Sequence, residues 1–508
     1  MEGATQAELH GPQGGVRDPS NHTQEDDAHS NDDFDQHDND FGHGHGTDNT
    51  HNQNKHCSNF DNRLAQHGSN PVADLDLDKM ARIATLPKHV RDLSFIHALR
   101  NATLDDGIGL TGDALHRLRN PPREALQPDP NTKLALLIFF ALEHSSEQTY
   151  ETIRQSIHHC YLDTLIPSFY HAKQLLVNLS RVTSIIDHMC INSCVAFVGP
   201  FSELEQCPDC NEPCYDQTRL NNSTGSIKVP RSVFHTIPIV PQLQALWRHL
   251  DSAQKMQYRQ QCTQALFDEI QANDGFVKTC DDVLCGTAYL DAICGQKILP
   301  DDILLMLSID GAQVYENKES DCWIYIRIIP DFSPEYRYKK KHVLPGMIIP
   351  GPKKSKFIKS FLFPGFYHLS AVQREGLRIW DASRSCEFVS HLFFFLGCTD
   401  GPGLVLLSNF VGHSGKCGCQ MLCSLTGHRK PGGSQYYPIL LKPDNYNIQG
   451  CDHDDISPYD IQPNSSAEYV DRFPSSLDPI QGLNSGHVNY KRALLGPVFC
   501  LVFSQISF

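Results

Sequence analysis

The chain has no long hydrophobic run. Its longest late apolar stretch, Ala493 to Phe508, is about 16 residues and is broken by Gly496-Pro497, short of the roughly 20 that a spanning helix needs. No secretory leader is legible at the start, so neither a membrane span nor export is expected. Positive charge is scarce at the beginning: residues 1–75 hold 14 Asp+Glu against 3 Lys+Arg, a net of −11, which leaves only −5 of the formal −16 for the other 433 residues. Net charge therefore does not exclude a polyanionic partner for the rest of the chain. Aliphatic side chains are scarce in the same stretch. Residues 1–72 are rich in Asp, Asn, His, Gln and Gly and cannot offset their own ordering entropy, which predicts a disordered acidic, His-rich tail. Nine of the 26 histidines lie before residue 76, His43 and His45 among them, and the composition favours a solvated tail over a metal site. Cysteine, by contrast, is abundant. Nineteen thiols, an odd number without a leader, point to a reducing compartment and to metal ligation more than to disulfides.

With 508 residues, 40% of them hydrophobic, there is room for two or three domains. The most informative stretch runs from Ile303 to Ile329. An apolar run from Ile303 to Ile309 ends in Asp310, polar residues follow, and Cys322 to Ile329 is apolar and β-branched again. The pattern predicts a hairpin with an acid at its lip. Asp is a poor strand residue and costly to bury unpaired, although a turn or capping Asp is the plain alternative. A second strand, His391 to Cys398, also ends in an acid, Asp400, before Gly401-Pro402-Gly403 opens an apolar segment that reads as a helix. A mixed sheet bringing these strands together would converge Asp310 and Asp400, able to share Mg²⁺ or Mn²⁺ as in phosphoryl-transfer sites. Hairpin, third strand near His342–Ile349, helical segment, acid-tipped strand and helix is the order of a ribonuclease-H-like α/β core, which normally takes a third acid from a later helix.

Upstream, Leu75, Leu77, Met80, Ile83 and Leu86 recur at helical spacing until Pro87, and Val90, Leu93, Ile96 and Leu99 continue it. Pro121-Pro122 and Pro128–Pro130 mark a linker. Leu134 to Leu142 is apolar, and Ser145 with Gln148 reads as a capping box for a helix carrying Tyr150, Ile153 and Ile157. Residues 73–188 thus read as a helical domain, with a helix-turn-helix as one option among many. Residues 217–300 read as connecting and helical, with Gln242–Gln271 as one helix striped by Leu243, Leu246, Trp247 and Leu250.

Between these lies the clearest local motif, at 189–216. Cys190 and Cys194 are separated by three residues, Cys207 and Cys210 by two, with twelve between the pairs and Cys214 as a spare. Two close thiolate pairs across a short loop suit tetrahedral, structural Zn²⁺ in a zinc-ribbon-like module; unligated core cysteines are the competing reading. Cys419 and Cys423 with His428 offer a looser second Zn²⁺ site inserted in the core. Lys339, Lys340, Lys341, Lys353 and Lys354, with Arg337, His342, Lys356 and Lys359 and the aromatics Tyr336, Tyr338 and Phe357, are a candidate DNA-binding surface, or a plain solvated face.

SIDGAQVYENKESDCWIYIRIIPDFSPEYRYKKKHVLPGMIIPGPKK, CTDGPG, the Cys-rich insert before KPGGSQYYPILLKPDNY, and MCINSCVAFVGPFSELEQCPDCNEPCYD resemble transposases of the CACTA (En/Spm-like) DNA transposon family over about residues 90–450. The resemblance implies a DDE/D strand-transfer enzyme that acts with a divalent metal on double-stranded DNA at transposon ends, in the nucleus, with self-association compatible. It gives Asp310 and Asp400 the positions of the first two catalytic acids and Cys419–Cys423 that of the family's metal-binding-like insert. It fades after about Ile456. The core at 301–456 is therefore expected to be partial, and 457–508 a divergent tail in which Glu468 and Asp471 are weak substitutes for the third acid. The expectation is a transposase-derived chain, truncated and catalytically impaired. The alternatives are a non-catalytic zinc-containing DNA-binding or regulatory remnant, and a zinc-stabilised interaction protein without DNA affinity.

Overall fold

The computed structural model describes residues 77–460 apart from 106–109, 111, 125–126, 313–321, 352, 401–402, 404–406, 408–413, 417–424, 426, 430–431, 438, 443–448 and 450–454. The expected acidic tail at 1–72, the segment beyond 460 with Glu468 and Asp471, and the pair Cys419 and Cys423 all lie outside the described residues. No helix among those described is long and apolar enough to cross a membrane.

Helices occupy the first part: α1 (Leu77–Ile83), α2 (Pro87–Arg100), α3 (Asp113–Arg119), α4 (Pro130–Ala141), α5 (Glu147–Cys160) and α6 (Phe169–Ser180). Pro87 opens α2 at the position where its missing N–H costs nothing. Asp129 caps α4 by accepting from the Asn131 and Thr132 amides, and Ser146 caps α5 through the Thr149 amide at 3.2 Å. The cap therefore falls one residue after the Ser145 that the sequence pattern favoured. Then come β1 (Ile185–His188), α7 (Gln217–Asn222), β2 (Val233–Thr236), α8 (Ile239–Arg248), α9 (Leu250–Lys255), α10 (Tyr258–Ala272) and α11 (Thr287–Cys294). The span Gln242–Gln271 is thus broken at His249, which is extended at φ −92°, ψ 123°. The break has a physical cause. The Trp247 carbonyl, which a continuous helix would bond internally, instead accepts the Ala382 amide at 3.0 Å, while the Trp247 ring packs edge-on against Phe388 at 5.0 Å.

The remaining elements are β3 (Leu304–Ala312), β4 (Cys322–Ile328), α12 (Pro334–Arg337), β5 (Leu344–Pro350), α13 (Ile358–Glu375), β6 (Leu377–Asp381), β7 (Cys386–Ser390), β8 (Phe393–Gly397), β9 (His428–Arg429) and β10 (Tyr436–Tyr437). A six-stranded mixed sheet runs in the order β1-β2-β5-β4-β3-β8. β3, β4 and β5 form an antiparallel meander; β8 returns parallel to β3, after α13 and the β6–β7 hairpin. The sequence reading anticipated the meander, the helix and the acid-tipped fourth strand, but not β1, β2 or the β6–β7 hairpin.

β3 is covered on both faces. Ile303, Leu305, Leu307 and Ile309 join the core that contains α13. Leu304 and Met306, on the alternate face, are equally buried. Near this second face Tyr289 of α11 meets Phe395 at 5.9 Å, and the buried pair Arg259–Asp331, at 2.8 Å, joins α10 to the loop after β4. The main core also takes in Met80, Leu93, Phe95, Ile96 and Leu99 of α1 and α2. Helices α4–α6 instead surround a small separate cluster of Ala135, Tyr150, Ile166 and Ala172. The helices of 73–188 therefore divide between two cores.

Phe95 is the hinge pin of the larger one. Its ring meets Phe201, Phe357 and Phe363 edge-on at 5.0, 5.4 and 5.2 Å. Beside it, Asp92 of α2 pairs with Lys359 of α13 at 3.1 Å, both side chains 2% exposed. Gly199 is required here. Its φ is +53° and a Cβ would overlap the Phe363 ring, so neither its backbone nor its surroundings admit a side chain. Phe95→Ala is expected to lower stability by about 3–5 kcal/mol. Leu137→Ala, at a position 57% exposed, should change it by less than about 0.5 kcal/mol; urea unfolding of both variants checks the contrast.

At the outer edge strand, burial pushes the Asp187 carboxyl up to about 6, and its Oδ2 is buried without a partner. A raised carboxyl favours the folded state while protonated, so this contribution is present below pH 4 and lost as pH rises through about 6. Asp187→Asn should flatten that part of the stability profile, measured as the urea midpoint from pH 4 to 7.

Candidate metal centre and acid edge

The four predicted zinc ligands come together. The sulfurs of Cys190, Cys194, Cys207 and Cys210 lie within 4.8 Å of one another, and this is the one group of three or more Cys, His, Asp or Glu able to hold a metal ion among the described residues. Two tight turns build it. The Ser193 amide bonds the Cys190 carbonyl at 2.8 Å and the Asn211 amide the Cys207 carbonyl at 2.9 Å; Ser193 and Asn211 take left-handed φ of 53° and 59°. Each turn is closed by ladder-like bonds, Cys190 N to Val195 O and Cys207 N to Glu212 O, both 2.9 Å. Asn192 bridges the pairs, its backbone N–H reaching Cys190 Sγ at 3.4 Å and its side-chain amide Cys210 Sγ at 3.7 Å.

N–H···S bonds of this kind stabilise thiolate, the form that ligates. They show in the ionisation of the group. Burial pushes Cys194 up to about 11 and raises Cys207 further. At Cys210 burial acts in the same direction, but the Glu212 amide and the Asn192 side chain outweigh it and bring the thiol down to about 7. A metal ion such as zinc is the partner that this donor set fits: four sulfurs, closed coordination, no open position for substrate. Cys214, buried in the core, stands outside the group, in keeping with its reading as a spare.

Register brings the two aspartates to one edge of the sheet. Leu307 of β3 pairs with Gly397 of β8 in parallel, and Asp310 and Asp400 each follow three residues later, so the pairing carries both acids to the same level of one sheet edge. The Thr399 hydroxyl donates to the Ile309 carbonyl at 2.6 Å, fastening the two chains at the point where the acids emerge. Asp310 Oδ1 accepts the Gly311 amide and Asp400 Oδ1 the Gly403 amide, each at 2.7 Å. Both carboxylates are exposed. Gly403 is confined: a Cβ there would overlap the Thr399 hydroxyl and lie 2.8 Å from Asp400 Oδ1.

The candidate lysines separate into two places. β5 begins at Leu344, opposite Arg327, and ends at Pro350, opposite Cys322, which is itself opposite Ala312. Lys339, Lys340 and Lys341 precede β5 and so lie at the end of the strands away from the acids, about 20 Å along the strand direction. Lys340 there meets Glu143 at 2.6 Å. Lys353 and Lys354 follow β5 and lie at the acid edge, with Lys354 5.8 Å over the Trp323 ring; Trp323 is the cross-strand partner of Gly311. Three of the basic residues are structural instead. Arg337 makes a two-pronged bond to Asp282 at 2.8 and 2.9 Å, buried at both ends. His342 stacks on Phe332 at 4.6 Å, and Lys359 pairs with Asp92. Their spacing in sequence gave no sign of this, because the acids that hold Arg337 and Lys359 lie 55 and 267 residues upstream. His428, in β9, is buried and 6.3 Å from the Tyr437 ring; its proposed co-ligands Cys419 and Cys423 are outside the described residues.

Neither a family model nor a curated protein matches the chain. The purified protein should contain stoichiometric zinc. Cys207→Ser should lose the metal and lower the melting temperature, whereas Cys214→Ser should keep it; metal analysis beside thermal unfolding distinguishes the two.

Proposed function

We propose that residues 301–456 are a ribonuclease-H-like strand-transfer core, that the chain derives from a CACTA-type transposase, and that its substrate is double-stranded DNA. The observation that carries the reading is the parallel pairing of Leu307 with Gly397, three residues before Asp310 and Asp400, which brings both acids to the same end of two adjacent strands. The order β5-β4-β3-β8, with a meander followed by a helix and a parallel return strand, supports it, being the arrangement that such a core requires. The resemblance of residues 90–450 to CACTA-type transposases supports the rest of the reading.

In this reading Asp310 and Asp400 hold a divalent Mg²⁺ or Mn²⁺ ion. Such an ion would supply the Lewis acidity that activates a water or 3′-hydroxyl and stabilises the leaving oxygen of a phosphodiester. The chain's own contribution is orientation. One oxygen of each carboxylate is fixed by a backbone N–H, and the Thr399–Ile309 bond keeps the two strand ends from separating. The acids are exposed, and a phosphate backbone can reach them. Action on chromosomal DNA makes the nucleus its place of work.

A second reading has its own support. Among the described residues no third acid joins the pair in a group able to hold an ion, which suits a non-catalytic, zinc-containing DNA-binding or regulatory remnant with impaired cleavage. Nicking of supercoiled plasmid in Mn²⁺ decides between them. An active core should nick, and Asp310→Asn or Asp400→Asn should each reduce the rate more than the about 10–100-fold that outer-shell changes cost. Nicking that survives both substitutions would refute the assignment of the acids, and duplex binding without nicking would establish the remnant.

A further inference from the structure

The segment between β5 and α13 is bound to the thiolate centre on one side and borders the acids on the other. Lys353 Nζ donates to Asn192 Oδ1 at 2.8 Å, and Asn192 is the residue whose amides reach Cys190 and Cys210. Lys356 lies beside the Cys194 sulfur. The Phe357 amide donates to the Cys194 carbonyl at 3.0 Å, and the Ala196 amide to the Ser360 hydroxyl at 2.9 Å. Arg91 of α2 closes the arrangement from behind, paired with Asp209 at 2.9 Å and lying over the Phe201 and Phe357 rings at 5.6 and 5.5 Å. The thiolate turns therefore fix residues 353–360 at both their backbone and their side chains.

Lys353, Lys354 and Lys356 are exposed, and none of the ion pairs among the described residues includes them. Their recorded partners are an amide oxygen, an indole ring and a thiol sulfur. Asp209, whose charge also reaches Lys356, is paired with Arg91, and Glu205 and Glu212 are met by Lys228 at 2.6 Å and Arg231 at 2.5 Å. Lys353 and Lys354 are left with no ion pair among the described residues, Lys356 faces the Cys194 sulfur, and cations so placed at the acid edge fit a chain of phosphates.

We propose that Lys353, Lys354 and Lys356 form a strap for the phosphodiester backbone of duplex DNA, that the metal centre organises this strap, and that Lys339, Lys340 and Lys341 take no part in it. The inference rests on the DNA reading above and deepens it. The strap grips the backbone beside Asp310, so DNA affinity depends on the metal although the metal touches no DNA.

The test is the salt dependence of binding to a fluorescently labelled random-sequence duplex, followed by anisotropy on the full chain with its zinc. Each phosphate contact contributes about 0.9 to the slope of log K against log salt. The triple variant Lys353→Ala, Lys354→Ala, Lys356→Ala should lower the slope by about 2–3 with zinc content unchanged. The triple variant Lys339→Ala, Lys340→Ala, Lys341→Ala should leave it as it was. Asn192→Ala keeps the four cysteines and should lower the slope by about 1, and stripping the metal should approach the effect of the first triple. Equal losses from the two triples, or no loss from the first, overturn the strap. Full affinity after Asn192→Ala and after metal removal overturns the role of the metal. These outcomes are independent of the nicking assay, so the strap can fail while the acid assignment stands; no duplex binding at any salt removes the DNA reading and the strap with it.

Discussion

Strand β3 is hydrogen-bonded along both edges and covered on both faces, and everything described above depends on its register. A one-residue slip would exchange Ile303, Leu305, Leu307 and Ile309 for the alternate set and move Asp310 off the level of Asp400. Two packed groups hold the register from opposite faces: the aromatic cluster around Phe95 with α13, and the buried Arg259–Asp331 pair with α10 and α11. Asp331 is also bonded to the Leu304 amide at 2.9 Å, so the ion pair fixes the first residue of β3 as well as the loop after β4. Removing one partner of such a pair is far more costly than the pair's net contribution, because a buried charge is left behind.

The metal centre is integrated into this framework. Cys190 and Cys194 belong to the main core, and their turn is bonded directly to the start of α13. The centre thus sits at the join between the first helices, the strap and the helix that crosses the sheet. Loss of a metal held by the four cysteines would accordingly be a change in the core, felt by α2 through Arg91–Asp209 and by α13 through Cys194–Phe357.

The sequence made the central elements legible because their signals were strong. β3, β4 and β8 are apolar runs ending in punctuation, and the four cysteines have the paired spacing of a structural zinc site. What escaped detection was weak locally. β1 and β2 are four residues each and include Asp187, His188 and His235, and they are strands because the open edge of β5 accepts β2 and β2 in turn accepts β1. The break at His249 carries no Pro or Gly, and its cause is a carbonyl taken by a residue 135 positions later in the chain. The lysines misled for the same reason. Spacing shows that charges are close in sequence, whereas the antiparallel run of β5 sends Lys339–Lys341 and Lys353–Lys356 to opposite ends.

The parallel pairing of β3 with β8 joins residues some 90 positions apart, as the Thr399–Ile309 bond records. During synthesis at roughly 5–20 residues per second the hairpin carrying Asp310 therefore emerges about 5–20 seconds before its second neighbour. For that interval one edge of an apolar strand is unpaired, a template for the next chain on the polysome. The closeness of the two acids is thus tied to a hazard in the nascent chain: the feature that assembles the site is also the last contact of the sheet to form.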